Sequence, residues 1–387
     1  MIEARPAPQG PAGGLRVALV HDWLTGMRGG EKVLEALCGI WPAADLFTLL
    51  HQPGTVSPTI ERRRIVTSFV DRLPFGHRYY RHFLPLFPLA IEQFDLDGYD
   101  LVVSTSSCAA KSAVTAPATP HLCYCHSPMR YAWDQFDAYF GQQRLGLASH
   151  LARPVLGALA RWDAATSHRP DRFLANSRYI ADRIRRYYNR PSVVVPPPVA
   201  TDFFTPDDRS REGFALVVSA LVPYKRVELA IDACRLADLP LTIVGSGPDR
   251  SRLEGRAAGR VSFLGWRSDE DVRELYRTAS VVLLPGEEDF GIVPVEAMAC
   301  GKPVVAYARG GALETVLDGP DQRTGVLFEE QTPEAFAAAI ERCDRQSFDP
   351  DALHAWALQF DRELYKKRMA EYIRNAWVEF KGGSPQP

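Results

Sequence analysis

Runs of apolar residues alternate with amphipathic stretches along most of this 387-residue chain. In the first half the apolar runs lie at residues 15–20, 101–104 and 121–124. In the second half they lie at residues 215–219, 241–244, 261–264, 281–284 and 304–307. Strands that are apolar on both faces are typical of parallel sheets covered by helices on each side. The alternation therefore predicts an α/β protein with two doubly wound domains.

Capping residues mark two of the predicted helices of the second half. Ser268 stands three residues before Asp271, which is the spacing of a capping box. Thr332 precedes Pro333, and proline is favoured at the first helical position. These signals place helices between the apolar strands, as a doubly wound sheet requires.

Three consecutive prolines within residues 193–204 mark the boundary between the two halves. Such a run continues neither a helix nor a central strand, so it predicts a semi-rigid connector. We therefore expect a first domain at residues 15–196 and a second at 197–359, with a flexible leader at 1–14 and a flexible tail at 382–387. Two open α/β sheets joined in this way are expected to face a cleft at the carboxyl ends of their strands, where ligands bind.

Composition narrows the function classes. Charged residues make up 24% of the chain and apolar residues 46%, both ordinary for a soluble globular protein, and the net charge of -2 argues against nucleic acid as a partner. No apolar run approaches the roughly 20 residues that span a bilayer. Seven cysteines without framework spacing fit a reducing cytoplasm, which is the expected location.

The segment 286–306, GEEDFGIVPVEAMACGKPVVA, is the richest in chemistry. It predicts a buried strand, a loop carrying Glu288, and a short helix with Pro294 and Glu296 in its first turn and Gly301 at its end. The free amides of the helix start favour a phosphate; they belong to Asp289, Phe290, Gly291, Ile292 and Val293. Two carboxylates flanking a phosphate site suit the hydroxyls of a nucleotide sugar. Taken alone, the segment fits two solvated glutamates equally well.

Cations and glycines are predicted at the carboxyl ends of neighbouring strands. Lys225 and Arg226 follow the strand at 215–219 and can neutralise a diphosphate, although an isolated pair of this kind is more often a solvated loop. Gly245 and Gly247 end the next strand and allow backbone to approach a ligand. They do not complete a dinucleotide fingerprint, because Arg250 stands at the third glycine position.

In the first domain, Gly29 and Gly30 lie in a loop where backbone can approach a ligand, or where the chain simply turns before a helix. His126 ends the run HLCYCH. It is followed by a polar and aromatic surface typical of sugar contact, formed by Arg130, Tyr131, Trp133 and Asp134.

Two possible metal motifs are rejected. Cys123, Cys125 and His126 lack a second Cys/His pair at zinc-site spacing, so alternation on a strand explains them better. The acidic residues Asp95 and Asp97 are interpreted as a solvated loop. We expect no metal.

A basic and aromatic segment, residues 61–94, stands out in the first domain. Its arginines are Arg62, Arg63, Arg64, Arg72, Arg78 and Arg81, with only Glu61 and Asp71 as nearby acids. Two interpretations are equally supported. One is a surface for anionic lipids or a lipid diphosphate acceptor, with about 1 kcal/mol per basic residue. The other is a helical hairpin with core aromatics and solvated arginines.

Together these motifs resemble the retaining glycosyltransferases of family 4, which have the GT-B fold. The segments HDWLTGMRGGEK, YCHSPMRYAWD, VPPPV, LVPYKR, the pair Glu288 and Glu296 with seven residues between them, and GGALETV occur in the order of the family, over residues 15–377. The resemblance implies that a C-terminal helix at residues 360–381 crosses back to complete the first domain. The chain departs from the family pattern at Ala220, where an arginine is usual, and at Ala200, where an acidic residue is common.

The resemblance also implies roles for the candidate residues. Glu296 would hold the ribose and Glu288 the donor sugar, while Lys225, Arg226 and the helix amides stabilise the departing diphosphate. Gly29 and Gly30 would lie against the donor's phosphate and sugar, and His126 beside the reacting sugar. The segment 265–267 would line the base pocket, with Arg267 at the base and Trp266 explained better by core packing. The diphosphate oxygen would take the acceptor's proton, so that neither a dedicated base nor a cofactor is needed.

The implied function is retaining transfer of a hexose from a nucleotide sugar to a lipid-linked or oligosaccharide acceptor. The variant of the motifs here is similar to transferases of bacterial surface polysaccharides, which favours GDP-mannose as donor and a position on the inner face of the plasma membrane. Three alternatives remain: a UDP-sugar-dependent transferase, an epimerase or hydrolase of nucleotide sugars, and a non-catalytic nucleotide-binding scaffold.

Overall fold

The chain folds into two compact units. The computed structural model describes residues 14–74, 76–133, 149–207, 212–257 and 259–382. Unit 1 comprises residues 1–198 and 363–387, and unit 2 comprises residues 199–362. Each unit contains one parallel sheet within its described residues.

The sheet of unit 1 has seven strands in the order β3-β2-β1-β4-β5-β6-β7, and every pairing in it is parallel. The central strands are buried along their whole length, as their apolar sequences require. The strands are β1 (Val17–His21), β2 (Asp45–Thr48), β3 (Ile65–Thr67), β4 (Leu101–Ser106), β5 (His121–Cys125), β6 (Arg172–Ala175) and β7 (Ser192–Val194).

Helices cover both faces of this sheet, and one of them comes from the C-terminal part of the chain. In the described part of unit 1 they are α1 (Gly29–Ile40), α2 (Pro58–Glu61), α3 (Gly76–Tyr79), α4 (Phe87–Glu92), α5 (Arg130–Trp133), α6 (Ser149–Ala165), α7 (Arg178–Tyr188) and the C-terminal α15 (Arg362–Phe380). The last helix buries Tyr365, Met369 and Ile373 in the same core as β1 and α1. The expected return of the C-terminal helix to the first half of the chain is therefore confirmed.

Unit 2 repeats the plan with six strands in the order β10-β9-β8-β11-β12-β13, again all parallel. Its strands are β8 (Ala215–Val218), β9 (Leu241–Val244), β10 (Val261–Gly265), β11 (Val281–Leu284), β12 (Val304–Tyr307) and β13 (Gly325–Phe328). Its described helices are α8 (Val227–Leu236), α9 (Arg250–Arg256), α10 (Asp269–Thr278), α11 (Ile292–Ala299), α12 (Ala312–Thr315), α13 (Pro333–Asp344) and α14 (Pro350–Ala357).

Both predicted helix caps of unit 2 are present. The Ser268 hydroxyl accepts a hydrogen bond from the amide of Asp271 at the start of α10. The Thr332 hydroxyl accepts one from the amide of Ala335 at the start of α13, where Pro333 is the first helical residue. Satisfying these otherwise unpaired amides fixes where each helix begins.

The segment 61–94 does not form the helical hairpin that was one of its two interpretations. It contains strand β3, short 3₁₀ turns and the short helices α3 and α4. Several of its aromatic residues are nonetheless core residues, since Tyr80, Phe87 and Phe94 are buried. No helix in the described ranges is both long and apolar enough to cross a membrane.

Cys123 and Cys125 alternate on β5, and both are buried with Phe173 and Ile180 in a small core of unit 1. Burial raises the pKa of the Cys123 thiol to about 12, so this group stays protonated. Asp95 and Asp97 lie exposed in a loop, as expected, and the Asp95 carboxylate accepts the amide of Asp97 at 3.1 Å.

Candidate active site

The two sheets share a topological feature that places their candidate residues. In unit 1 the strand order reverses between β1 and β4, and in unit 2 it reverses between β8 and β11. In open α/β sheets the loops diverge at such a point and leave a crevice at the carboxyl ends of the strands, where ligands bind. Both reversal points carry ionisable side chains in this protein.

At the reversal point of unit 2, an ion pair joins the loops that follow β8 and β11. The Lys225 ammonium contacts the Glu288 carboxylate, and both side chains are largely shielded from solvent, at 17% and 15% exposure. The two loops are pressed together at Gly286, where a Cβ atom would lie 2.7 Å from the carbonyl oxygen of Tyr224. Only glycine permits this approach, so Gly286 sets the distance over which Lys225 and Glu288 meet.

A second close backbone approach supports the Glu288 loop from the β12 side. Glu288 and Gly310 form an isolated parallel bridge, and the amide of Gly311 donates to the carbonyl of Glu288 at 2.8 Å. A side chain at Gly310 or Gly311 would collide with the backbone of Glu288 or Phe290. The Glu288 loop is therefore held on both sides by backbone, which restricts where its carboxylate can point.

The loop ends in α11, whose first residues carry the predicted anion-binding amides. Gly291 is the N-terminal cap residue of the helix, with φ of 88°, and as a glycine it offers no side chain to cap the first amides. Pro294 lies in the first turn, and Gly301, with φ of 72°, follows the last residues as predicted. Glu296 is the fifth residue of the helix rather than a first-turn residue, because α11 begins at Ile292 and not earlier.

Glu296 lies on the buried side of α11 and is only 5% exposed. Its carboxylate accepts a hydrogen bond from the Tyr276 hydroxyl on α10 at 3.1 Å. Burial, together with the charge of Glu296, raises the pKa of Tyr276 well above its usual value, so the hydroxyl remains a donor. Tyr276 thereby fixes one carboxylate oxygen of Glu296.

Arg226 makes contacts of its own, apart from the Lys225–Glu288 pair, and its role beside a diphosphate stays a prediction. Its backbone is left-handed, with φ of 52°, and this turns the side chain toward Glu228 and Gln331, which it contacts at 2.9 and 3.0 Å. Gln331 in turn donates to the carbonyl of Pro285 at 3.0 Å. The structure thus links Arg226 to the start of the Glu288 loop.

The remaining unit 2 candidates lie at the carboxyl ends of β9 and β10. A side chain at Gly245 or Gly247 would collide with the backbone of residues 219–221, so packing between loops already explains both glycines. Trp266 is 74% exposed, which corrects the expectation that it packs in the core. The Arg267 guanidinium donates to the carbonyl of Trp266 at 3.0 Å.

In unit 1 two histidines converge on Gly30, the second residue of α1. A Cβ atom at Gly30 would lie 3.5 Å from Nε2 of His126 and 3.6 Å from Cε1 of His21. Nδ1 of His21 lies 2.6 Å from the Thr105 hydroxyl on β4, and its Nε2 lies 3.9 Å from Oε1 of Glu31. Gly29, the first residue of α1, is adjacent. The reversal point of this sheet therefore holds a buried imidazole–carboxylate pair.

His126 follows β5 and is held there through its backbone. Its amide donates to the carbonyl of Ser106 at 2.8 Å, and its carbonyl accepts from the Asn176 side chain at 3.0 Å. Its ring lies 5.3 Å from that of Tyr124. These contacts orient the histidine at the carboxyl end of the strand, where the sequence placed it.

The polar and aromatic residues after His126 do not form one open surface. Trp133 donates its indole N–H to Asp163 at 2.7 Å and stacks on Tyr187 with 4.7 Å between ring centroids. Arg130 is half-buried at the start of α5. The Tyr131 side chain and Asp134 lie outside the described part of the chain.

The basic candidates of the segment 61–94 differ in their surroundings. Arg62 is exposed, Arg63 donates to the carbonyl of Thr59 at 3.0 Å, and Arg64 pairs with Asp45 at 3.1 Å. The Arg78 side chain lies outside the described part of the chain. Within the described ranges, no three His, Cys, Asp or Glu side chains are grouped so as to hold a metal ion.

Sequence reasoning missed several residues that contact the candidates. They are His21, Glu31, Thr105, Tyr276 and Gln331. His21 had a usable signal, because it ends an apolar strand at the same edge as His126. Tyr276 and Gln331 had none, since their contacts depend on how α10 and the loop after β13 pack.

Two family models match consecutive parts of the chain. "Glycosyltransferase Family 4" matches residues 27–203, and "Glycosyl transferases group 1" matches residues 200–350. The chain belongs to the family 4 glycosyltransferases. The resemblance inferred from the motifs is thereby confirmed.

Two curated relatives illustrate the similarity in sequence. One, from Mycobacteroides abscessus, is a D-inositol 3-phosphate glycosyltransferase, 35% identical over 44% of this chain and 43% of its own length. Another, from Mycolicibacterium smegmatis, is a GDP-mannose-dependent alpha-(1-6)-phosphatidylinositol monomannoside mannosyltransferase, 34% identical over 42% of this chain and 50% of its own. The chain thus spans about half or less of the length of these relatives.

Solved structures show the fold over nearly the whole chain. Anabaena HepE in complex with UDP and glucose gives a TM-score of 0.69 at 19% identity, covering 93% of this chain and 99% of that one. Sucrose-phosphate synthase from Thermosynechococcus elongatus gives 0.70 at 21% identity, covering 94% and 100%. Together with the two parallel sheets, these similarities confirm the predicted GT-B fold.

Proposed function

We propose that this protein transfers a hexose from a nucleotide sugar to an acceptor hydroxyl with retention of the anomeric configuration. The observation that carries the proposal is the Lys225–Glu288 pair across the reversal point of the unit 2 sheet. Glu288 stands in the loop that leads into α11, whose N-terminal cap residue is Gly291. A cation and free helix amides suit a diphosphate, and carboxylates suit the hydroxyls of the sugar and the ribose.

In this proposal each unit 2 residue has one task. Glu288 accepts hydrogen bonds from the hydroxyls of the donor sugar, and Glu296, steadied by Tyr276, accepts them from the ribose. Lys225 and the amides of Ile292 and Val293 stabilise the diphosphate as it leaves. Lys225 is already paired with a carboxylate, so the donor would share this cation with Glu288 rather than meet an isolated charge.

The chemical step breaks the bond between the anomeric carbon and the diphosphate oxygen and forms one to the acceptor oxygen on the same face of the sugar. The acceptor's proton passes to the diphosphate oxygen, so that charge and atoms balance without a separate base. The proposal assigns neutralisation of the diphosphate to Lys225 and the helix amides, and assigns no step to a metal or cofactor. His126 would contact the reacting sugar.

We propose GDP-mannose as the donor. Two lines support this choice: the motif variant in segments 21–32 and 126–134, and the M. smegmatis relative, which uses GDP-mannose. A panel of labelled nucleotide sugars, with product anomers assigned by NMR, tests it. Turnover of UDP-sugars alone would refute the donor assignment. Conversion of the donor without any acceptor would instead indicate an epimerase or hydrolase.

The proposed acceptor is lipid-linked, and we place membrane contact on the exposed residues of the 3₁₀ turn before α4 and of α4 itself. Leu86 and Leu89 are 38% and 63% exposed, and the exposed Arg81 precedes them. Apolar side chains beside a cation are typical of a surface that lies on anionic lipid. Exposed leucines also occur singly on soluble proteins, so the experiment must separate the two cases.

Sedimentation with vesicles of anionic phospholipid distinguishes a membrane-binding surface from leucines that are merely exposed. Leu89→Glu should abolish sedimentation of the protein, because it places a negative charge where the lipid surface would lie. Leu236→Glu is the matched control, since Leu236 is 50% exposed on unit 2, and it should sediment as the wild type does. Equal sedimentation of both variants in low salt would remove the membrane contact from the proposal.

The assignment of the donor site is tested by Glu296→Ala, with Tyr276→Phe as companion. The first should weaken nucleotide binding and turnover, while the second keeps the carboxylate and should have a smaller effect. Unchanged nucleotide affinity and turnover in Glu296→Ala would refute the site.

A further inference from the structure

The first turn of α1 in unit 1 contains a buried carboxylate, near helix amides that favour negative charge. Glu31 is 4% exposed, and its Oε2 accepts the amide of Arg28 at 3.1 Å at the start of the helix. A carboxylate there stabilises the helix, because it faces the positive end of the helix dipole. The same charge repels any second anion that approaches the first turn.

The His21 imidazole faces that carboxylate. Its Nε2 faces Oε1 of Glu31 at 3.9 Å, and both side chains are almost fully shielded, at 6% and 5% exposure. Nδ1 of His21 faces the Thr105 hydroxyl at 2.6 Å, so its ring cannot rotate away without losing that contact. The polar groups around His21 thus come from β4, from α1 and, across Gly30, from His126.

We propose that the His21 imidazole, held against the Glu31 carboxylate, lets the first turn of α1 accept the anionic part of the nucleotide sugar. The pair is a positioning device rather than a reacting group. The His21 imidazole faces Glu31 at 3.9 Å, and Thr105 holds the imidazole in place. This inference rests on the proposed function, because it takes the donor to contact Gly29 and Gly30.

The proposal predicts a rescue that a purely structural role does not. His21→Asn keeps a polar group facing Thr105 but removes the imidazole that faces Glu31, so the affinity for GDP-mannose or UDP-glucose should fall about tenfold. Adding Glu31→Gln removes the carboxylate that no longer faces an imidazole. The double variant should therefore recover affinity to within about threefold of the wild type. A structural role predicts that the second substitution adds damage or leaves the first unchanged.

A second histidine–glutamate pair in unit 1 provides the matched control. His51 Nε2 lies 3.1 Å from Glu61 Oε2, and this pair does not border Gly30. His51→Asn and Glu61→Gln, made singly and together, should leave donor affinity as in the wild type. Thermal unfolding of every variant shows which of them remain folded, and His21→Gln replaces His21→Asn if the latter does not.

Calorimetric titration of the full chain with GDP-mannose and with UDP-glucose measures these affinities. If the wild type binds neither compound, both the proposed function and this inference are wrong. If the wild type binds one of them and His21→Asn binds it equally well, the inference alone is wrong. The same conclusion holds if His21→Asn binds weakly and Glu31→Gln does not restore it.

Discussion

Replacing Gly30 with alanine separates a glycine kept for a ligand from one kept for the backbone. Gly30 is the second residue of α1, and its backbone does not adopt the left-handed conformation that favours glycine. The nearest atoms to a new Cβ would be those of His126 and His21, at 3.5 and 3.6 Å, which is ordinary van der Waals contact. The folded protein therefore has room for the methyl group.

The substitution should stabilise the fold while it disables the site. Alanine exceeds glycine by about 0.8–1.0 kcal/mol inside a helix, and roughly half of this is expected near a helix start. That corresponds to a rise of about 1–2 °C in Tm. The methyl group would occupy the space between the two imidazoles. A donor displaced by about 1 Å loses about 100-fold in kcat/KM, or about 2.7 kcal/mol.

Gly39→Ala in the same helix is the control. Its Cβ would meet only the flexible end of the Lys366 side chain, at 3.4 Å, so it should raise Tm similarly and leave kcat/KM unchanged. Differential scanning calorimetry and initial rates of sugar transfer provide the two measurements. If Gly30→Ala transfers sugar at the wild-type rate, no ligand approaches this glycine and the reasoning fails.

Three further predictions rest on contacts within one unit or the other. Lys225→Met should lower kcat by about 100-fold or more, as loss of a leaving-group cation does, whereas Arg226→Gly, which suits the left-handed backbone, should lower it less than tenfold; equal losses would contradict the separate roles. Tyr276→Phe should raise the KM for the donor about three- to tenfold with kcat nearly unchanged, since it frees one oxygen of Glu296; an unchanged KM would count against that contact. Burial, with two nearby cations, lowers the pKa of His121 to about 3, so the folded state stays neutral while the unfolded state gains a proton below about pH 6.5. Protonation of His121 in the unfolded state should therefore lower the free energy of unfolding by about 2 kcal/mol between pH 6.5 and pH 5. Denaturant titrations at several pH values should show that the free energy of unfolding of His121→Asn falls less over this range.

The fold could be predicted from the sequence where a strand consists of a continuous apolar run. The strand at residues 281–284 and the strand at 304–307 have the bounds that their sequences indicated. Strand β2, with the sequence DLFT, was not predicted, because polar residues bound its two apolar residues. The short edge strand β7 was not predicted, because its valines run into the prolines and were assigned to the connector. What defines such strands is pairing with a neighbour, which local sequence does not contain.

The candidate site was predictable as a set of residues but not as a set of contacts. Lys225 and Glu288 both follow strands of one sheet, which the sequence shows. That β8 and β11 are neighbours depends on the order of the strands. The sequence also gave no reason to expect left-handed backbone at Arg226, whose side chain contacts Glu228 and Gln331. Local patterns locate residues at an edge, whereas backbone conformation decides which way they point.

The participation of α15 in the core of unit 1 affects the order in which the chain can mature during synthesis. Unit 2 is one continuous stretch, so all of it is synthesised before the helix that buries Met369 and Ile373. The apolar surface of β1 and α1 in unit 1 therefore stays uncovered until residues 362–380 have been synthesised. Nascent chains halted before residue 362 should accordingly engage chaperones through their N-terminal half, although that half was synthesised first.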